Sequence, residues 1–167
     1  IVEPAANYFI GRVKRDLREG NTTFGLALNT VHRSLDNESL DPFFRSSAYV
    51  GGLDWNHAWH KREGSVDGSV AFSHNIGSQG AIAALQTAPA RYYQRPDRQG
   101  YFFDPTATSL TGHVIEASLA KLAGKYWRFS LTGQDYNPGF EANEVGFLGS
   151  TDMRGLAPLV GHVDTRV

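Results

Sequence analysis

Apolar and polar residues alternate with a period of two through Asn7–Leu17 and again through Thr22–Arg33, and the two runs are separated by the polar, glycine-containing Arg18-Glu19-Gly20-Asn21. This pattern predicts a β-hairpin. Centred on Glu19-Gly20, it sets Val13 against Leu26, Gly11 against Leu28 and Arg15 against Phe24 on one face, with Arg12 against Ala27 and Lys14 against Gly25 on the other. Tyr49–His60 and Ser65–Asn75 repeat the design around Lys61-Arg62-Glu63-Gly64. A register centred on Arg62-Glu63 pairs Leu53 with Phe72, Trp55 with Val70 and Trp59 with Val66, and places Asp67 opposite Ala58. The other face then collects Asp54, Asn56, Asp67, Ser69, Ala71 and Ser73. A third hairpin joins Leu110–Leu122 to Tyr126–Asp135 through Ala123-Gly124-Lys125. It opposes Leu119 to Phe129, Ala117 to Leu131 and Ile115 to Gly133, leaving Glu116, Ser118, Arg128, Ser130, Thr132 and Gln134 together. Trp127 stands beside the turn, where an interfacial aromatic belongs in a membrane barrel.

The connections alternate in length, three tight turns against the long segments 34–47, 76–109 and 136–155. Short turns at one end and long loops at the other mark an up-and-down barrel, provided that 76–109 holds no spanning strand. Gln79–Ala88 fits a short loop helix over 79–88 instead, with Ser78 as N-cap, Ile82 and Leu85 three apart, and Pro89 as the stop. The expectation is an all-β, antiparallel up-and-down transmembrane β-barrel in which residues 1–167 are part of a single domain. Six strands are identified, with room for one more after Arg154. The smallest membrane barrels use about eight, so the chain is expected to be an incomplete barrel, a piece of something longer. A start at Ile1 with no Met and no signal peptide agrees with that expectation.

Composition narrows the classes further. Sixteen Lys+Arg against seventeen Asp+Glu leave a net charge of -1, so no basic excess points to nucleic acid. The absence of cysteine removes disulfides, zinc-thiolate sites and thiol nucleophiles. No apolar run reaches the length of about 18 residues that a spanning helix needs. A mean hydropathy of -0.35 does not speak against spanning strands, because their two faces cancel. A soluble sandwich also alternates. Here, however, the strands run to about 11 residues where globular strands average about 5–6, and the polar face is built from Gly, Ala, Ser, Asn and paired ions.

Specific strings appear from Arg91 onward: Arg91-Tyr92-Tyr93-Gln94-Arg95-Pro96-Asp97, Ser109-Leu110-Thr111-Gly112, Lys121 with Gly124 and Trp127, and Asn137-Pro138-Gly139-Phe140-Glu141-Ala142-Asn143-Glu144-Val145-Gly146-Phe147-Leu148 with Asp152 beyond. Together with Arg12–Leu17 and Gly52-Leu53-Asp54, they resemble an uncharacterised outer-membrane β-barrel family of bacterial envelopes. Its full-length members usually carry an N-terminal carbohydrate-binding module of family nine. The resemblance spans most of the chain. The family often has Ser before the Pro and Asp at the position of Glu144, two mild departures. The resemblance implies a bacterial outer-membrane location, lipid as a partner, and no established reaction.

Little enzymatic chemistry emerges from the residues. His57 and His60 are three apart, which on a strand sends their imidazoles to opposite faces, so they cannot share a metal. Glu141, Glu144 and Asp152 with Asn143 cluster in one loop but lack a calcium-ligand ladder, so carboxylate–arginine pairing is the expectation and no metal or cofactor is assigned. Arg12, Lys14, Asp54, Asn56, Asp67, Glu116 and Arg128 fall on the polar face and read as lumen groups forming ion pairs. Tyr92, Tyr93, Arg95, Asp97, Tyr101 and Glu141 form a candidate loop site, since aromatics and ions together suit a glycan or small solute. Arg95 and Asp97 are expected to pair with rim groups such as Glu141. The expected function is solute passage or surface binding at the outer membrane. The alternative is a soluble or periplasmic domain of a carbohydrate-active hydrolase, with Asp54, Asp67 or Glu116 as acid or base.

Overall fold

A computed structural model describes residues 4–35, 40–97, 99–144 and 148–163. Seven strands, β1 (Ala6–Leu17), β2 (Thr22–Arg33), β3 (Arg45–Trp59), β4 (Gly64–Gly77), β5 (Ser109–Lys121), β6 (Trp127–Tyr136) and β7 (Met153–His162), form one antiparallel sheet in chain order. The seventh strand occupies the room foreseen beyond the third hairpin. The sheet is open, with β1 and β7 as its two edges. One helix, α1 (Gln79–Thr87), follows β4. Ser78 caps it, its hydroxyl accepting from the Ala81 N–H at 3.2 Å and donating to the Asp41 carbonyl at 2.7 Å. The helix ends at Ala88, one residue before Pro89, because the residue preceding a proline is driven out of the helical region.

The first hairpin has the expected register, Val13 opposite Leu26 and Arg12 opposite Ala27. The second is displaced by two residues: Leu53 pairs with Val70, Trp55 with Gly68, Trp59 with Gly64 and Asp67 with Asn56. The tryptophans explain the choice, because each indole lies over its glycine partner. A Cβ on Gly68 would come within 2.5 Å of the Trp55 ring, and one on Gly64 within 2.4 Å of the Trp59 ring. His60, Lys61 and Arg62 all take left-handed conformations and make the four-residue turn this register requires. The first turn has the same backbone at Arg18, Glu19 and Gly20. In the third hairpin Leu119 meets Leu131 and Ile115 meets Asp135, again two residues from expectation. There the chain runs on before turning, since the Leu122 N–H donates to the Glu63 carbonyl of the neighbouring turn at 2.8 Å. Both displacements are even, so every side chain keeps its expected face.

The rows of paired residues also reveal a stagger. The row through Leu17 and Thr22, the last pair before the first turn, reaches β3 at His57, two residues short of Trp59. The row through Trp59 and Gly64 reaches β6 at Phe129, two residues short of its start at Trp127. Each hairpin therefore advances along the sheet by two residues relative to its predecessor, or about one residue per strand. With about 3.3 Å along a strand and about 4.8 Å between strands, that slope corresponds to about 35° between the strand direction and the line normal to the row of turns.

Candidate functional site

The two faces of the sheet differ in what covers them. Val13, Leu26, Leu53, Phe72, Ile115, Leu131 and Leu156 share one face and are all exposed. The histidines interspersed on this face at β2–β4 are satisfied by cross-strand hydroxyls, His32 by Ser47 at 3.1 Å, His57 by Thr22 at 2.8 Å and His74 by Thr111 at 2.7 Å.

On the opposite, polar face the long loops fold inward over the loop end of β2–β5. Small residues make this possible. A Cβ on Gly112 would lie 1.9 Å from the Phe140 nitrogen, so the Pro138–Glu141 backbone lies directly against β5 where no side chain projects. The Glu141 N–H donates to the Ser73 hydroxyl at 2.9 Å, and the Asn75 amide reaches the Glu141 carbonyl at 3.4 Å. The Asn137 side chain turns the loop by accepting from the Gly139 N–H at 2.8 Å. Above this layer α1 contributes Ile82 and Leu85, which pack with Tyr93 and Leu110 into a small apolar cluster. Gln86, also buried, bridges to the loop by exchanging two hydrogen bonds with the Asp104 backbone, at 2.8 and 3.1 Å.

Charges are buried in the same layer. Glu141 is 2% exposed, and its carboxylate pairs with Arg91, whose guanidinium also donates to the Phe140 carbonyl at 2.9 Å. Glu144 receives Arg33 and Arg45 from the facing ends of β2 and β3. Three arginines from two strands and a loop thus hold two glutamates of one loop. Desolvating such ions costs several kcal/mol each, and mutual pairing with backbone hydrogen bonds offsets it. Arg91, Arg33 and Arg45 were not among the site residues expected from the sequence. Their signal was the pair of arginines flanking the 34–44 loop and the arginine opening the Arg91–Asp97 string.

The expected loop site is divided by the fold. Glu141 is taken by Arg91 and does not meet Arg95, because its side chain is directed into the buried layer. Arg95 instead pairs with Asp152 at 2.7 Å and stands 3.8 Å from Asp97. Tyr93 is buried in the apolar cluster, whereas Tyr92 and Tyr101 are exposed, the latter hydrogen-bonded by Asn137. Asp104, in the same loop region, has its carboxyl held below the ordinary range by the Thr106 hydroxyl and N–H, which both donate to it.

Towards the turns the polar face is open. The register places Arg12, Lys14, Asp54, Asn56, Asp67, Glu116 and Arg128 on it together. Arg12 reaches across β2 to Asp54 at 2.8 Å, passing over Gly25, where a Cβ would meet the Asp54 carboxylate. Glu116 accepts from Tyr136 at 2.6 Å and from Ser69 at 3.4 Å, beside a shallow cavity of about 360 Å³ lined also by Asp67, Ser118 and Thr132. His57 is on the apolar face bonded to Thr22, and His60 is in the turn. No family model, no curated protein and no solved structure matches this chain.

Proposed function

We propose that this chain forms part of the wall of a bacterial outer-membrane β-barrel, with its polar face lining the lumen and its own loops folded into the lumen at one end. Its role on this reading is passage or surface binding of a solute, for which the sequence resemblance favours a carbohydrate.

The observation that carries the reading is the path of the exposed apolar band. The row Val13–Leu26–Leu53–Val70–Ile115 continues into Asp135 and Arg154, which bond to each other at 2.9 Å. The apolar residues of β6 and β7 lie further towards the turns, at Phe129, Leu131, Leu156 and Val160. The band therefore slants across the rows in the same sense as the stagger of the turns. A band level with a membrane does this when the strands tilt, and the slope of about 35° agrees with the tilt of about 35–45° in membrane barrels. Along β3, Tyr49 and Trp59 stand on the apolar face ten residues apart. Tilted, that spans about 27 Å, close to the band of about 25 Å that separates two aromatic girdles. A soluble sheet of this length would need a second layer over the same face.

At the edge of the buried loop layer, exposed Tyr92 and Tyr101 with Arg95 and Asp97 offer a solute stacking faces and hydrogen-bonding ions. The test places one charge on either face of the same strand. Leu53→Asp directs a carboxylate to lipid and should lower the yield of membrane-assembled protein severely, at a cost of up to a few kcal/mol, whereas Asn56→Asp should assemble as wild type. Equal tolerance of both substitutions, read by membrane fractionation and heat-shifted electrophoretic mobility, overturns the reading.

A further inference from the structure

The two edges of the sheet carry an inference that rests on the barrel reading and goes beyond it. β1 and β7 both run from the loop end to the turn end, because seven strands alternate in direction. Joining them directly would create a parallel pair. A single-chain antiparallel barrel has an even number of strands, so the number between β7 and β1 is odd.

A second copy of this chain does not satisfy the condition. If its loops face the same side of the membrane, its β1 runs parallel to the first copy's β7. If it is inverted to run antiparallel, its loops face the opposite side.

The lumen contents set a lower limit. Eight strands enclose a space just wide enough for side chains. Here main chain occupies the lumen face, because the Phe140 nitrogen lies against Gly112, the fourth residue of β5 from the loop end, and Glu141 bonds Ser73, the fifth of β4 from that end. Backbone seated about 13 Å inside the rim needs a wider barrel. The next even number is ten. The loop layer is also packed on one side, against β2–β5, while Tyr8 and Ile10 of β1 and Leu159 of β7 point from the same face and are exposed at 59%, 74% and 70%. Further wall would bury both these residues and the bare side of the loops.

We infer that β1 and β7 are interaction edges bridged by an odd number of further strands, at least three, supplied by the same polypeptide. The meander favours that source, since every neighbouring pair in the sheet is consecutive in the chain and an up-and-down wall grows by adding the next strand in sequence. The bridging strands should alternate apolar with small polar residues and continue the stagger of one residue per strand.

The test uses the full-length protein from its native membrane. These 167 residues contain no cysteine, so Val13→Cys and Val160→Cys, exposed apolar-face sites brought level by the stagger of one residue per strand, can be spin-labelled as a pair once any cysteine elsewhere in the polypeptide is replaced by serine. Direct closure would put the two backbones about 5 Å apart and one bridging strand about 10 Å, whereas ten strands put them about 18 Å apart. The expected result is a label separation that fits about 18 Å or more, with the outward amides of β1 and β7 exchanging as slowly as those of β3. Peptide mapping should find further slow strands in the same polypeptide. A membrane-embedded protein with the shorter distances, with freely exchanging edges, or with edges protected by a different chain overturns this inference and leaves the barrel reading standing. A protein absent from the membrane fraction overturns both.

Discussion

The loop half and the turn half of the polar face are built by the same strands and look the same way, but they solve the burial of polarity differently. In the loop half, Ser73, Asn75, Glu141 and Arg91 are almost wholly buried, and each is bonded to main chain or to an opposite charge. In the turn half, Arg12 and Asp54 pair at 2.8 Å with the arginine side chain 57% exposed, and water does most of the solvating. The same kind of ion pair therefore carries different weight in the two halves. Removing one partner of a desolvated pair strands a charge, while removing one partner of a hydrated pair leaves an ordinary surface ion.

The sharpest test of this contrast compares two single substitutions. Glu141→Ala leaves Arg91 buried without its counter-charge and should cost about 3–5 kcal/mol, whereas Asp54→Ala should cost about 0–1 kcal/mol. Denaturant titration followed by tryptophan emission reads both, and equal losses would erase the distinction. A second pair probes packing. Gly112→Ala drives a methyl into the Phe140 and Gly139 backbone and should cost about 1–3 kcal/mol while exposing the 78–108 loop to protease. Gly161→Ala, on the same face of β7 with open space around it, should stay within about 0.5 kcal/mol.

Smaller effects are expected at the rim. Arg95→Ala breaks a half-exposed pair with Asp152 and should cost no more than about 1 kcal/mol, so on the barrel proposal any large change in glycan binding or bilayer conductance would come from the loop rim and not from the fold. The smallest effect is in the pH response of Asp104. Its folded pKa is depressed by Thr106, so its contribution to stability is present above the unfolded value of about 4 and is lost as pH falls through the folded value. Thr106→Val should move the Asp104 titration midpoint back upward in carboxyl NMR, and an unchanged midpoint would remove the hydroxyl as its cause.

Strand positions and faces were legible because alternation records them and survives an even slip in register. The pairing itself was legible only in the first hairpin, where Gly20 signals the turn. In the second, three non-glycine residues, His60, Lys61 and Arg62, adopt the left-handed conformation, and of these only histidine has a preference for it, too weak to mark the turn. The deciding contacts, Trp55 over Gly68 and Trp59 over Gly64, require the strand partner before they can be recognised. The buried ion network was only partly legible. Carboxylate–arginine pairing was evident in the composition of the loops, but Arg91 and Arg95 differ in role solely by which one the turn after α1 aims at the sheet. That turn is fixed by the Arg91 and Tyr92 N–H groups bonding to the Ala88 carbonyl, a tertiary detail of the loop.

The meander gives the chain two very different ranges of contact. Every strand pairs with its sequence neighbour, so hairpins can form one after another with little loop-closure entropy. The contacts of the buried loop layer join positions 50 residues apart at Arg91 and Glu141 and 68 apart at Ser73 and Glu141. Neither can form until β4, β5 and β6 stand side by side. Assembly should then be vectorial: the sheet zips up strand by strand with its polar face still hydrated, and the loops drop into place as a late, separate step. A protein trapped by Gly112→Ala would report that order directly, showing native strand protection with unprotected loops.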